Sequence, residues 1–178
     1  EIGKNKKAIT TVQFRIEKRS IDNLSQLSVA LSDHDSETID RVTALAIHGT
    51  DLYVAGVWEA GFWDTIGIIE KFNTDIFGIE EPEIIFEQDY GYDDRTMALA
   101  VGKNCWGDGS DCLIAAGFSS DIGSGGDAAW RVDVLNISSN QLEYSILLDI
   151  NSHKNDHVYA LAVDDTSPAY YMYLAGYQ

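Results

Sequence analysis

The sequence has no long apolar run and few basic residues. No stretch approaches the roughly 20 apolar residues that a membrane helix needs, so we expect no membrane span. The 178 residues include 12 Lys and Arg against 29 Asp and Glu, which gives a formal charge of −17. Binding to nucleic acid needs clustered basic side chains that release counterions, and this charge balance therefore argues against such a partner.

Patterns typical of catalysis are also missing. The four His residues are scattered, and neither H-E-x-x-H nor G-x-S-x-G occurs. Carboxylates are so numerous that any pair chosen for glycoside hydrolysis would be arbitrary. We therefore predict that the chain is not an enzyme and has no organic cofactor.

Sustained helical periodicity is absent. No segment keeps helical spacing of apolar residues over about eleven positions, and the 15 Gly residues are too many for long helices. Yet 45% of the residues are apolar and 11% are aromatic, too many for a disordered chain. The length suits one domain, or part of one, with a real core.

A pattern of four short apolar runs recurs along the chain. The first run begins as Asp-Arg-Val-Thr-Ala-Leu-Ala-Ile at residue 40, and similar runs begin at residues 94 and 156. A second run, which ends in Ala-Gly, follows each of them at 52–56, 113–117 and 173–176. The third runs lie at 15–18, 68–71 and 131–134, and the fourth at 27–31, 84–87 and 144–148. Because Gly, Asn, Asp or Ser bounds these runs, we read them as strands A to D of successive hairpins.

Four strands repeated at this spacing are typical of a β-propeller blade. The alanines of strand A agree, because the innermost strand of a blade is crowded near the axis. We therefore predict an all-β fold of antiparallel β-propeller blades. A β-sandwich or a β-solenoid built on the same hairpins is the alternative.

These runs resemble the extracellular β-propeller repeats of the Kelch and galactose-oxidase type, in which a V-x-A-L-A strand precedes an A-G strand and a glycine-rich loop. The resemblance covers nearly all of residues 12–178 and implies architecture only. The copper-ligand Tyr and His set of galactose oxidase has no counterpart here. The Gly-Gly and paired Tyr/Trp of Kelch blades and the Trp-Asp pairs of WD repeats are also absent.

The runs divide the chain into five parts. Residues 1–11 form a basic arm, 12–39 a partial blade of strands C and D, 40–93 and 94–155 two whole blades, and 156–178 a partial blade of strands A and B. Together the two partial blades would make only a third blade, and closed propellers typically have at least about four. We expect a fragment of a longer chain, in keeping with Glu1 in place of Met, or open edges that pair with other molecules.

Charge is unevenly distributed between the two ends of the chain. The first 20 residues contain six basic and two acidic side chains, a net charge of +4, whereas the other 158 carry −21. We expect this basic segment to be a solvated, partly mobile terminus. Contact with an acidic partner, including the next copy of the chain, is the alternative.

Cys105 and Cys112 flank the loop between strands A and B of the second whole blade. Across a hairpin their Cα atoms can reach the roughly 5.5 Å that a disulfide needs, so we predict a bridge, with two free thiols as the alternative. A disulfide implies an oxidising compartment, and the N-x-S sequons at Asn23 and Asn136 agree with one. We therefore predict an extracellular or cell-surface glycoprotein.

Two kinds of loop residue are candidates for ligand binding. Trp58, Trp63 and Trp106 can stack on a sugar, or pack between blades instead. Asp108 and Asp111 are candidate Ca²⁺ ligands, but the twelve-residue spacing of an EF-hand is missing, and Asp also commonly forms turns.

The repeat and the lack of catalytic motifs favour a secreted structural or protein-interaction module, part of a larger protein or assembly. Its expected partners are other protein subunits or further blades. A carbohydrate-binding, lectin-like propeller and a non-catalytic part of an extracellular enzyme are the alternatives.

Overall fold

The structure is a computed structural model that describes residues 13–32, 40–59, 64–89, 93–120, 128–148, 155–164 and 171–177. Within these ranges the chain forms β-strands and no helix, which confirms the predicted all-β class. The strands are β1 (Phe14–Arg19), β2 (Gln26–Ser32), β3 (Arg41–His48), β4 (Asp51–Glu59), β5 (Thr65–Asn73), β6 (Glu83–Gln88), β7 (Asp94–Gly102), β8 (Cys112–Ser119), β9 (Ala129–Asn136), β10 (Gln141–Leu148), β11 (His157–Asp164) and β12 (Tyr171–Tyr177).

The strands form four antiparallel sheets, in each of which neighbours along the chain pair with one another. Sheet I contains β1–β2, sheet II β3–β6, sheet III β7–β10 and sheet IV β11–β12. Two four-stranded sheets thus lie between two two-stranded ones. The described strands do not close into a barrel or a ring.

The first strand of sheets II, III and IV carries a shift of register at the same place. The shift lies between Val42 and Ala44 in β3, between Thr96 and Ala98 in β7, and between Val158 and Ala160 in β11. Such a bulge bends the strand and increases its twist. The bulges of sheets II and III also touch, since Thr43 Oγ1 donates a hydrogen bond of 2.5 Å to the carbonyl of Thr96.

These bulges explain why the second run of each unit ends in Ala-Gly. A Cβ added to Gly117 would lie 1.8 Å from the carbonyl oxygen of Arg95, and one added to Gly176 would lie 1.9 Å from that of His157. In sheet II, a Cβ added to Gly56 would lie 2.0 Å from the Phe14 ring. A side chain does not fit where the bulged backbone approaches the partner strand so closely.

The sheets stack face to face and bury three apolar clusters between them. Sheets I and II enclose Phe14, Ile16, Ala30, Val54, Ile68, Phe72 and Phe77. Sheets II and III enclose Tyr53, Ala55, Ile69, Leu99, Leu113, Ala115 and Leu135. Sheets III and IV enclose Cys112, Ile114, Ala116, Val132 and Val158. Among the described strands, sheets II and III are therefore covered on both faces, and sheets I and IV on one face each.

Candidate interaction site

The uncovered side of sheet IV exposes positions that are buried in the two preceding sheets. Counting back from the glycine of each second strand, Tyr53, Ile114 and Tyr173 are equivalent. The first two residues are 0% and 7% exposed, whereas Tyr173 is 59% exposed. Side chains alternate along a strand, so Tyr177 points the same way as Tyr173, and it is 47% exposed. Tyr159 lies beside Tyr177, with ring centroids 5.7 Å apart. We call Tyr159, Tyr173 and Tyr177 the tyrosine face.

Sheet I has a matching uncovered side on β1. Glu17 is equivalent to Glu70 of sheet II and Asp133 of sheet III, which are 0% and 2% exposed. The side chain of Glu17 retains 22% exposure, and that of Arg15 retains 55%. Hydrogen bonds from Arg15 and Arg19 lower the pKa of Glu17. Leu31 is the cross-strand partner of Arg15 and is 51% exposed. We call Arg15, Glu17, Arg19 and Leu31 the arginine face.

Two further apolar groups lie uncovered where the short sheets provide no strand. Leu45 and Ile47 on β3 are 54% and 63% exposed. Leu99, which is equivalent to Leu45, is buried between sheets II and III. On β10, Tyr144 and Ile146 lie on the side that faces sheet IV, and they are 59% and 44% exposed. Apolar groups of this size, gathered in patches, mark interaction surfaces more often than isolated ones do.

The aspartate that precedes each first strand is buried. Asp40, Asp94 and Asp156 are at most 2% exposed. Gln88 Nε2 donates to Asp94 Oδ1 at 3.5 Å, and the backbone N–H of Asp156 donates to the carbonyl of Ala128 at 2.8 Å. Asp94, through its side chain, and Asp156, through its backbone, thus each bond to a residue of the preceding unit.

A buried ion pair lies on the third strand of sheet III. Arg131 Nε donates to Asp133 Oδ2 at 2.8 Å, and the two side chains are 5% and 2% exposed. Sheet II covers this pair, because Leu135 on the same side of β9 packs in the cluster between sheets II and III. On β1, the exposed Arg15–Glu17 pair has the same spacing along the strand, with an N–O distance of 2.6 Å.

The structure contains the predicted disulfide between Cys105 and Cys112, with Cα atoms 6.0 Å apart. In the same loop Asp111 Oδ1 accepts the N–H of Asn104 at 2.9 Å, and its Oδ2 lies 2.8 Å from His48 Nε2 in sheet II. These two contacts, the backbone one first, lower the pKa of Asp111. The disulfide loop is therefore tied to the neighbouring sheet.

The two candidate Ca²⁺ ligands accept hydrogen bonds from the backbone of their own hairpin loop. Asp108 Oδ1 accepts the N–H of Ser110 at 2.8 Å, and this bond lowers the pKa of Asp108. Asp111 makes the contacts described above. In the described part of the chain, no group of three or more His, Cys, Asp or Glu side chains is arranged to hold a metal ion.

Of the candidate sugar-binding tryptophans, Trp58 and Trp106 are described, and they lie in different clusters. Trp58 is half-buried and packs against the cluster between sheets I and II. Trp106 packs beside Cys105 against the cluster between sheets III and IV. Trp63, the glycine-rich loop at 121–127 and the basic arm lie outside the described residues.

Both sequon asparagines lie at turns between the third and fourth strands of a unit. Asn23 is exposed, and its Oδ1 accepts the N–H of Ser25 at 2.9 Å. Asn136 Oδ1 accepts the N–H of Ser138 at the same distance. Glycosylation of either residue stays a prediction.

His157 lies between sheet III and the tyrosine face. Its ring stacks on Phe118 with centroids 3.8 Å apart, and Tyr177 Oη lies 3.2 Å from its Nδ1. Burial lowers the pKa of His157, so the unfolded chain takes up this proton at a higher pH than the folded chain does.

We expect His157 to make stability depend on pH. Its contribution is present above its unfolded pKa of about 6.5 and is lost as the pH falls through its lowered folded pKa. Urea unfolding at pH 7.5 and 5.5 should therefore show a larger loss for the parent protein than for His157→Asn. An equal loss in both proteins would contradict this assignment.

Comparison with known proteins finds no matching family model, no similar curated protein and no similar solved structure. In the ranges that the structure covers, no helix is long and apolar enough to cross a membrane. The chain's own geometry is therefore the basis for a functional assignment.

The tyrosine and arginine faces were not among the site residues predicted from sequence. The alignment of the units is the feature of the sequence that could have indicated these faces. In it, Tyr173 aligns with Ile114 of the preceding unit, and Arg15 aligns with Arg131. Alignment shows equivalence, but only the stacking of the sheets shows which of the equivalent residues remain uncovered.

Proposed function

We propose that the chain is an extracellular structural module for protein–protein interaction, built from β-propeller-type blades. Strands from another polypeptide, or from further blades, complete its two short sheets. The observation that carries this proposal is that Tyr173, Tyr177, Arg15 and Arg19 are exposed, whereas the equivalent residues of sheets II and III are buried. The disulfide supports an extracellular location.

The strand order and the packing of the first strands favour blades of a propeller. Each four-stranded sheet is a simple antiparallel succession, and β7 lies against both β3 and β11. The alanines that follow the bulges leave room for this approach. Blades arranged around an axis bring their first strands together in this way.

The backbone at both ends also supports completion by added strands. Among the described residues, β1 pairs only with β2, and β12 pairs only with β11. The free edges of both strands can accept a further strand. In sheets II and III the equivalent second and third strands pair with each other, as β4 does with β5 and β8 with β9.

Adding the missing strands to the same chain tests this proposal. We expect a variant with a copy of residues 1–32 appended after Gln178 to melt about 5 °C higher, because the added hairpin pairs with β12 and covers Tyr144 and Ile146. Calorimetry at low protein concentration gives the melting temperature. Hydrogen exchange should show slower exchange of the β12 amides.

The matched control carries Ile16→Pro and Glu17→Pro in the appended copy only. Successive backbone N–H groups point to opposite edges of a strand, so one of the two prolines removes a donor facing β12. This control should melt at the temperature of the parent protein. Equal melting temperatures for the parent protein and both extended variants would refute completion by added strands.

A further inference from the structure

We propose that the strands completing sheet IV are β1–β2 of a second copy of this chain, joined head to tail. This inference rests on the proposed function of the short sheets, and it names their partner. The edge of β12 on one copy pairs with the edge of β1 on the other, and the tyrosine and arginine faces become covered. We call this contact the joint.

The chain itself supplies the register of this joint. In sheets II and III the glycine of the second strand pairs with a fixed position of the third strand, Gly56 with Ile68 and Gly117 with Arg131. The same register sets Gly176 of one copy opposite Arg15 of the other. It also places Tyr173 opposite Lys18, as Tyr53 lies opposite Lys71.

The side chains of β1 match those of β9, the third strand of sheet III, which is covered by sheet II. Arg15 and Glu17 form an ion pair two residues apart, as Arg131 and Asp133 do on β9. On β9 this pair is buried because sheet II lies over it. In the joint, β1 occupies the place next to β12, and its arginine face lies against β9 and β10 of the other copy.

The joint also covers the exposed apolar side chains of β3 and β10. Within one copy, neighbouring sheets cover equivalent side chains in the same way. Between sheets II and III, Tyr53 and the alanines of β3 pack against Leu99. In the joint, the equivalent Tyr173 of one copy packs against the equivalent Leu45 of the other. Leu31 and the aliphatic stems of the arginines lie over Tyr144 and Ile146 of β10.

Charge favours the same arrangement. The segment that contributes β1 carries +4 over its first 20 residues, and the rest of the chain carries −21. A second copy therefore offers a basic strand to an acidic body, which speeds association and weakens it at high salt.

Counting sheets gives the expected number of copies. The described part of each copy has two four-stranded sheets, and two reciprocal joints complete two more. Two copies therefore form a ring of six four-stranded sheets, within the range of about four to eight that propellers use. Every joint in such a ring is the same, so the ring closes with two-fold symmetry.

Disulfide trapping tests the register with two variants, each of which has one cysteine added to the disulfide-bonded Cys105 and Cys112. Mixing full-length Tyr173→Cys with Lys18→Cys under mild oxidation should give a covalent pair containing one chain of each variant, detected by mass spectrometry. The control mixes Tyr173→Cys with Arg19→Cys, which is one residue out of register and whose side chain therefore points to the opposite face. Equal yields from the two mixtures would overturn the register.

Sedimentation equilibrium tests the number of copies. The parent chain should sediment as two copies, and Leu45→Lys should weaken association at least about 10-fold, since it places a charge in the joint. Ile84→Lys is the control, because Ile84 is 47% exposed on β6 and pairs with Glu70, which faces sheet I of the same copy, so association should be unchanged.

The outcomes separate this inference from the proposed function. A monomer at every concentration, with no mixed disulfide, overturns the second copy as partner, while a stabilised extended variant still supports the interaction module. If the extended variant also gains nothing, both proposals fail. Assemblies larger than two copies with the same mixed disulfide support the joint and overturn the two-copy ring.

Discussion

Replacing Arg131 with Met is expected to lower the free energy of unfolding by about 3–5 kcal/mol. The guanidinium and the Asp133 carboxylate are 5% and 2% exposed beneath sheet II, with 2.8 Å between Nε and Oδ2. Met has a similar volume but leaves a buried carboxylate without its counter-charge. Urea denaturation followed by tryptophan fluorescence measures the change.

Two further variants show whether the cost comes from the unpaired charge. Arg131→Met combined with Asp133→Leu should regain most of the loss, because an apolar pair of similar size needs no counter-charge. Measured at low protein concentration, where the copies are separate, Arg15→Met removes the equivalent arginine from the exposed pair on β1 and should cost less than about 1 kcal/mol. If Arg131→Met cost no more than Arg15→Met, sheet II would not bury the Arg131–Asp133 pair.

Gly117→Ala is expected to destabilise the protein by about 3 kcal/mol. The added Cβ would lie 1.8 Å from the carbonyl oxygen of Arg95 and 2.8 Å from its carbonyl carbon. Neither atom is the end of a flexible side chain, so β7 and β8 must move apart at the bulge. Chemical denaturation gives the loss, and hydrogen exchange should show faster exchange of the amides between these two strands.

Gly49→Ala is the matched control for this loss. Gly49 lies in the turn between β3 and β4 with φ of +58°, and a Cβ there meets no atom within 4 Å. Its substitution should cost about 1 kcal/mol through the left-handed backbone alone. Equal losses at the two positions would mean that close approach at the bulge is not what requires glycine at 117.

The strands and their order could be predicted because each depends on local sequence. The run at 113–117 is short, apolar and bounded by turn residues, and it lies within β8. The disulfide was also predictable, since Cys105 and Cys112 flank a loop too short to hold them far apart. These features need only alternation along a strand and the geometry of a hairpin.

The buried charges and the uncovered tyrosines could not be predicted, because they depend on which sheet lies over which. Asp133 and Glu17 have the same place in their units, and only stacking decides that Asp133 is buried whereas Glu17 keeps 22% exposure. The bulges were missed for another reason. A one-residue shift of register leaves no mark in the alternation of a short apolar run, although the recurring glycines are its indirect trace.

The bulge and its glycine have a consequence for how the units diverge in sequence. In sheets II, III and IV the first strand carries the bulge and the second strand carries the glycine. One hairpin therefore contains both features and keeps its shape whatever lies on its faces. The side chains on either face are then set by what that face meets, and not by the hairpin. Tyr53, Ile114 and Tyr173 occupy one position on this frame: the first two pack against the next sheet, and Tyr173 is exposed. The same hairpin can therefore serve both at a covered place inside the stack and at its uncovered end.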